Sequence, residues 1–279
     1  MLHYRIVPGF AVPSSNAYPC HMTYTFGDTE LASRRLRRLA EIYEPESRAL
    51  LRSVREVRED FPIAVDLGCG PGWSTELLNS VLKPGRTIGL DSSERYVREA
   101  RANHPHLEFQ RHDILQLSFP VQSADLLFCR FLLTHLRSPS SALNAWAHVA
   151  APHAILVIHE TESLQASDPS LNRYYELVGE MQRHYGQELN VGAVLDASLE
   201  GTSWGVLRSQ TLMLDKSAKD MAELHLPNLR TWSGNEYASQ AFDQNEIAEL
   251  GAALERIASG EYDAGRVKNI ARQIVAERS

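Results

Sequence analysis

From about residue 62 onward, short apolar runs alternate with amphipathic stretches. The runs at 62–67, 86–91, 107–111, 124–129 and 154–160 have the length and flanking turn residues of strands, and 73–83, 93–103 and 137–151 carry apolar residues at helical spacing. Strands alternating with crossover helices predict an α/β fold, a doubly wound sheet whose first strands are parallel. After Glu160 the rhythm changes. Helices are predicted at 168–186 and 192–200, a β-prone run in "GVLRSQTLML" at 205–214, helices at 217–227 and 243–259, and a closing strand in "RVKNIARQIVAE". Ahead of the alternation, residues 1–27 have prolines and aromatics without periodicity and read as an irregular arm. In "DTELASRRLRRLAEIYEPES" Asp28 is the expected helix cap, with Leu31, Leu39, Ile42 and Tyr43 as the apolar stripe. Arg34, Arg35, Arg37 and Arg38 read as a solvated face partnered by Glu30 and Glu41. The expected organisation is an arm and helix over 1–59, followed by one ligand-binding domain over 60–279.

The first strand leads into "AVDLGCGPGWST", which sets Gly68, Gly70 and Gly72 within five positions. In a doubly wound sheet this first strand-to-helix turn is where backbone N–H groups meet a nucleotide-like ligand, and bare backbone allows a close approach. A dinucleotide fingerprint would place its third glycine at position 73, which is Trp73 here, so a ligand without a pyrophosphate fits better. Asp91 ends the second strand about 20 residues on, where a carboxylate accepts hydrogen bonds from ribose hydroxyls. Asp113 ends the third strand, placed to accept an adenine amino group while Ile114 packs on the ring. Each acid alone also reads as a helix cap or turn residue, Asp91 before Ser92 and Ser93 especially, and the glycines alone as a tight turn without a ligand; together they favour an adenosine site.

The stretches "VDLGCGPG", "GLDSSERYVREAR", "HDI" and "DLLFCRFLLTHL", in that order over about residues 60–160, resemble class I S-adenosylmethionine-dependent methyltransferases of the small-molecule type. The resemblance implies a Rossmann-like seven-stranded sheet whose last strand is antiparallel, with helical cap inserts at about 163–200 and 217–259. It also implies that Asp66, Gly68, Cys69, Gly70 and Gly72 form the turn holding the methionine part of the donor. Asp91 and Ser92 would face the ribose, Asp113 and Ile114 the adenine, and Cys129 and Arg130 the end of the fourth strand beside the donor. Tyr24 and the arm would act as a lid. The Asn or Asp followed by two prolines that marks amide- and adenine-methylating members is replaced by "FCRF", and no acidic metal ligands stand at that strand end, so no metal is expected.

Composition narrows the partners. A formal net charge of -7 argues against a polyphosphate partner, leaving a small-molecule acceptor and no nucleic acid. Three scattered cysteines suggest neither a disulfide framework nor a CxxC metal site, and no apolar run approaches the roughly 20 residues of a membrane span, so a cytoplasmic protein is expected. The oligomeric state is not legible.

The expected activity is methyl transfer from S-adenosylmethionine, leaving S-adenosylhomocysteine, to an O or N atom, or a C atom, of a small organic molecule. A protein or RNA methyltransferase, or a donor-binding module without catalysis, is the alternative. His135 after the fourth strand is the candidate base, against a reading in which it packs the following turn; Glu160 and His184 stand behind it. His159, Tyr174, Tyr175 and Tyr185 are the candidate acceptor-contacting residues, the tyrosines sharing an alternative reading as core. Cys69 reads as a small residue beside the ligand, and His104, His106 and His112 as surface histidines.

Overall fold

In the computed structural model, which describes residues 27–279, seven strands form one sheet. They are β1 (Ile63–Leu67), β2 (Arg86–Asp91), β3 (Glu108–Arg111), β4 (Ala124–Arg130), β5 (Ala150–Ala166), β6 (Trp204–Ser217) and β7 (Arg266–Arg278), in the order β3-β2-β1-β4-β5-β7-β6. Strands β1 to β5 pair parallel to one another, whereas β7 runs antiparallel to both β5 and β6. The order reverses between β1 and β4, which opens a crevice at their carboxyl ends.

Period-two burial builds the core on both faces. Val65, Leu67, Leu127, Leu156 and Ile158 join Trp146 on one face. Ala64, Leu126, Phe128, Ile155 and Val157 meet Leu50, Leu51, Leu77 and Leu78 on the other. The helices that supply those partners are α1 (Glu30–Val54), α2 (Trp73–Leu82) and α4 (Pro139–Ala147), and α3 (Glu94–Asn103) packs Val97 and Ala100 against Phe109 and Cys69. A separate cluster joins α5 (Pro169–His184), α7 (Ala218–Trp232) and α9 (Gln244–Ser259) around Trp232, roofing the carboxyl end of the sheet together with α1. Two short helices, α6 (Leu195–Leu199) and α8 (Glu236–Ala241), complete the α-helices of the described residues, and three-ten turns stand at Leu133–His135 and Val191–Val194.

Four expectations change. Thr29 caps α1, its hydroxyl accepting from the Ala32 N–H, while Asp28 turns to the Ser93 hydroxyl at 2.8 Å. Strand β5 continues six residues past Glu160 because β7 pairs with it as far as Ala166 and Val267. The final strand does not close the sheet: it inserts between β5 and β6, and β6 becomes the edge. The arginines of α1 do not share one face. Arg34, Arg37 and Arg38 meet Glu30 or Glu41, but Arg35 is 6% exposed and points inward with the apolar stripe, four residues after Leu31 and four before Leu39.

Candidate functional site

Glycine geometry shapes the turn after β1. Gly68 and Gly72 have φ of 67° and 94°, and a Cβ on Gly68 would sit 2.6 Å from Leu132 Cδ1. A side chain at either position is therefore strained and obstructed. Asp66 holds the turn from inside, accepting hydrogen bonds from the Ser74 hydroxyl at 2.6 Å and the Thr75 hydroxyl at 2.7 Å. It is buried, and burial pushes its carboxyl up to about 6 despite those two donors. Asp91 ties β2 to the same turn, one oxygen accepting from the Gly70 N–H at 2.9 Å and the other from the Ser93 N–H at 2.8 Å.

These groups border a cleft of about 400 Å³ at the reversal of strand order. Gly68, Cys69, Gly70, Asp91, Ser92, Asp113, Ile114, Arg130 and His135 all line it. Asp66 and Gly72 do not, because they lie beneath the turn and shape it. Cys129 was expected at the cleft but points into the core on the far side of β4, its thiol facing Glu160. Tyr24 lies outside the described residues. Sequence reasoning did not find Leu36 and Leu39 of α1, Trp73, Phe131 or Leu136 as lining residues. Their signal was only helical phase or proximity to the strand ends.

Behind Phe131 and His135 lies a second cavity of about 110 Å³, which shares Leu36, Leu39, Phe131 and His135 with the cleft. Helices α5 and α7 bring Tyr174, Tyr175, Gln182, His225 and Asn228 to it, and α1 brings Arg35. His135 ends a single three-ten turn, Leu133–His135, and stands at the junction. Burial, aided by the Arg35 charge, lowers its pKa to about 3, so the imidazole is neutral at ordinary pH.

Several expected groups stand elsewhere. Glu160 lines neither cavity; its Oε1 accepts from the Leu132 and Leu133 backbone N–H groups at 2.7 and 2.8 Å, and burial pushes its pKa up to about 7. His159 is fully buried against Phe131, with Nδ1 3.1 Å from the Ser47 hydroxyl. His184 is exposed and stacks on Tyr237 at 3.9 Å, and Tyr185 packs beside the same pair. Of the four acceptor-contacting candidates, Tyr174 and Tyr175 reach a cavity. His104 and His112 are buried rather than on the surface, His104 against Trp73 and His112 against Phe119; His106 is exposed and meets Glu76 at 2.9 Å.

The described residues hold no group of three or more His, Cys, Asp or Glu placed to bind a metal ion, and no helix long and apolar enough to cross a membrane. The lining of the cleft suits an adenosine-bearing sulfonium donor: bare glycine backbone, two carboxylates and an isoleucine border one space.

Residues 65–158 match the family model described as "Methyltransferase domain". Over 116 residues the chain is 36% identical to a trans-aconitate 2-methyltransferase from Methylobacterium nodulans, covering 42% of this chain and 44% of that protein. A trans-aconitate 2-methyltransferase from Escherichia coli is 34% identical over 100 residues, covering 36% and 39%. The chain thus aligns with less than half the length of the curated relatives it matches. Among solved structures, the YcgJ protein from Bacillus subtilis superposes with a TM-score of 0.53 at 17% identity, covering 84% of this chain and 98% of that one. Coclaurine N-methyltransferase gives 0.53 at 14% identity, covering 84% and 72%. At such identities these two likenesses show the fold alone.

Proposed function

Residues 65–158 form a class I S-adenosylmethionine-dependent methyltransferase domain, and from that premise we propose that the chain is an enzyme transferring a methyl group to a small organic molecule. The observation that carries this reading is the pair of adjacent cavities: a cleft suited to the donor, and beside it a second space that shares Leu36, Leu39, Phe131 and His135 with the cleft and can take an acceptor. When bound, S-adenosylmethionine supplies an electrophilic methyl group on a sulfonium. The chain's own residues bind, orient and exclude water. In this reading Gly68, Cys69 and Gly70 border the methionine part, Asp91 accepts from the ribose hydroxyls, and Asp113 with Ile114 meets the adenine. Helix α1 acts as part of a lid over both cavities through Leu36 and Leu39. Alignment of nucleophile and methyl group supplies about 7 to 11 kcal/mol of barrier lowering in well-oriented systems, so the walls that orient the acceptor matter more than any single base.

The curated relatives are named for methylating trans-aconitate, a small molecule, which supports an acceptor of that size. The reading is tested by calorimetric titration of S-adenosylhomocysteine into the wild type and Asp91→Ala. Loss of hydrogen bonds to a charged group, worth about 1.5 to 3 kcal/mol, is expected to weaken binding at least ~tenfold. Absence of binding to the wild type would remove the methyltransferase reading. Binding without turnover of any acceptor would favour the non-catalytic module.

A further inference from the structure

Four side chains of the second cavity carry polar atoms that nothing in the fold satisfies. The Tyr175 hydroxyl, Gln182 Oε1, Asn228 Oδ1 and both ring nitrogens of His225 are buried without a hydrogen-bond partner among the described residues, and all four side chains line this space. Buried polar groups are nearly always paired, so their gathering at one cavity points to a polar occupant.

The balance of donors and acceptors says what that occupant must offer. Gln182 Nε2 donates to the Thr134 carbonyl at 3.3 Å, which fixes the amide and leaves Oε1 as an acceptor only. Asn228 Oδ1 is a second acceptor. Burial keeps His225 neutral at ordinary pH, so its ring has one N–H and one bare nitrogen, a third acceptor. Against these stand two donors, the His225 N–H and the Tyr175 O–H. An occupant with acceptor atoms alone, such as a ketone or a carboxylate, leaves the three acceptors unmet and sets lone pairs against lone pairs. One with O–H or N–H groups satisfies them. An ammonium would also donate, but no carboxylate among the described residues lines the space to balance its charge.

Shape defines the occupant further. Tyr174 and His225 stack at 4.6 Å and 26°, with Tyr175 edge-on to His225 at 5.2 Å, giving a flat aromatic wall. The volume of about 110 Å³ is on the scale of one ring, since an apolar cavity of about 150 Å³ admits benzene.

We infer that the second cavity receives the methyl acceptor and that this acceptor is a small, neutral, flat molecule with at least two hydroxyl or N–H groups, which donate to Gln182, Asn228 and His225. The word acceptor rests on the methyltransferase reading; the demand for hydrogen-bond donors rests on the cavity alone.

The test is calorimetry on the full chain in saturating S-adenosylhomocysteine, which keeps the probes out of the donor cleft. Three single rings are compared: resorcinol, which donates through two O–H groups; pyrazine, which only accepts; and benzoate, an anion. Resorcinol is expected to bind at least ~tenfold tighter than either of the others, about 1.4 kcal/mol. Gln182→Met removes an acceptor and no donor that faces the space, so the preference for resorcinol over pyrazine is expected to fall at least ~threefold. Asn228→Leu should lower it similarly, which keeps the test open should Gln182→Met not fold. Equal binding of resorcinol and pyrazine, tighter binding of benzoate, a preference unchanged in both variants, or no binding of any ring overturns the inference, and with S-adenosylhomocysteine still bound the methyltransferase reading stands. Failure of S-adenosylhomocysteine to bind the wild type, with a resorcinol preference that Gln182→Met still lowers, would instead remove the methyltransferase reading and leave the donor-seeking cavity.

Discussion

Glu160 accepts the backbone N–H of Leu132 at 2.7 Å, linking β5 to the turn that follows its parallel neighbour β4. The same oxygen takes the Leu133 N–H at 2.8 Å, so a carboxylate on β5 satisfies two orphan donors at the start of the three-ten turn that carries His135. Phe131, just before it, has φ of 52°, an unfavourable conformation for an aromatic residue that these bonds help to hold. Glu160 is therefore a positioning residue for the junction between the two cavities.

Removing it should disturb the turn. Glu160→Ala leaves two N–H groups without their acceptor, at about 1 to 3 kcal/mol each, and is expected to lower stability by at least ~2 kcal/mol and weaken S-adenosylhomocysteine binding through Leu132 and Leu136. Glu160→Gln keeps an acceptor oxygen and should recover most of both. Urea unfolding and calorimetry check this; an Ala variant as stable as wild type would contradict it.

Stability should rise with pH through the acidic range and level off just above neutrality. His135, His159 and His225 are each held at about 3 by burial, against about 6.5 in an unfolded chain. Below about pH 6.5 the unfolded chain gains protons that the native state refuses, so stability is lost as pH falls. Asp66 and Glu160, raised to about 6 and 7, act in the opposite sense: native protonation stabilises at low pH and is lost as pH rises through those values. Three histidines outweigh two acids from about pH 4.5 to 7, so stability should climb there; above about pH 7 the last of the histidine and Glu160 titrations nearly cancel and the curve should level off. Thermal midpoints from pH 4.5 to 8 test this. Glu160→Gln should steepen the climb between about pH 5 and 7, and a wild-type midpoint that stays flat or falls between pH 4.5 and 6 would refute the assignment.

The turn glycines should separate into two kinds. Gly68→Ala meets both a positive φ and a 2.6 Å approach to Leu132, whereas at Gly70, with φ of 51°, the nearest side-chain atom stands 3.4 Å away. Gly68→Ala is expected to lower stability by about 2 to 4 kcal/mol and abolish S-adenosylhomocysteine binding, from backbone strain plus overpacking. Gly70→Ala should lower stability by about 1 to 2 kcal/mol, from strain alone. Equal effects would mean that Leu132 gives way.

His135 should behave as a neutral hydrogen-bonding group. With a responsive acceptor, His135→Asn is expected to keep kcat within ~tenfold of wild type, and kcat should show no inflection near pH 6.5. A general base would lose 10²- to 10⁴-fold on the same substitution. A loss of that size, together with an inflection near 6.5, would restore the base role.

The sequence by itself determined the α/β alternation, the glycine turn and the acids at 91 and 113, because each depends on local periodicity or on residues within one strand-turn-helix unit. It also placed Tyr174 and Tyr175 on a helix and His135 past a strand end. Tertiary structure decided what those residues face. Arg35 belongs by charge with its neighbours, yet its helical phase buries it; that phase was present in the sequence, but only the packing of α5 and α7 over α1 makes a cavity there. His225, Asn228 and Gln182 have no shared spacing with Arg35, so nothing local could join them. Glu160 and Leu132 lie 28 residues apart and meet because β4 and β5 are paired in register. Even the closing strand was legible as a strand but not as an inner one, since strand order is fixed by which apolar faces remain to be covered once the chain has collapsed.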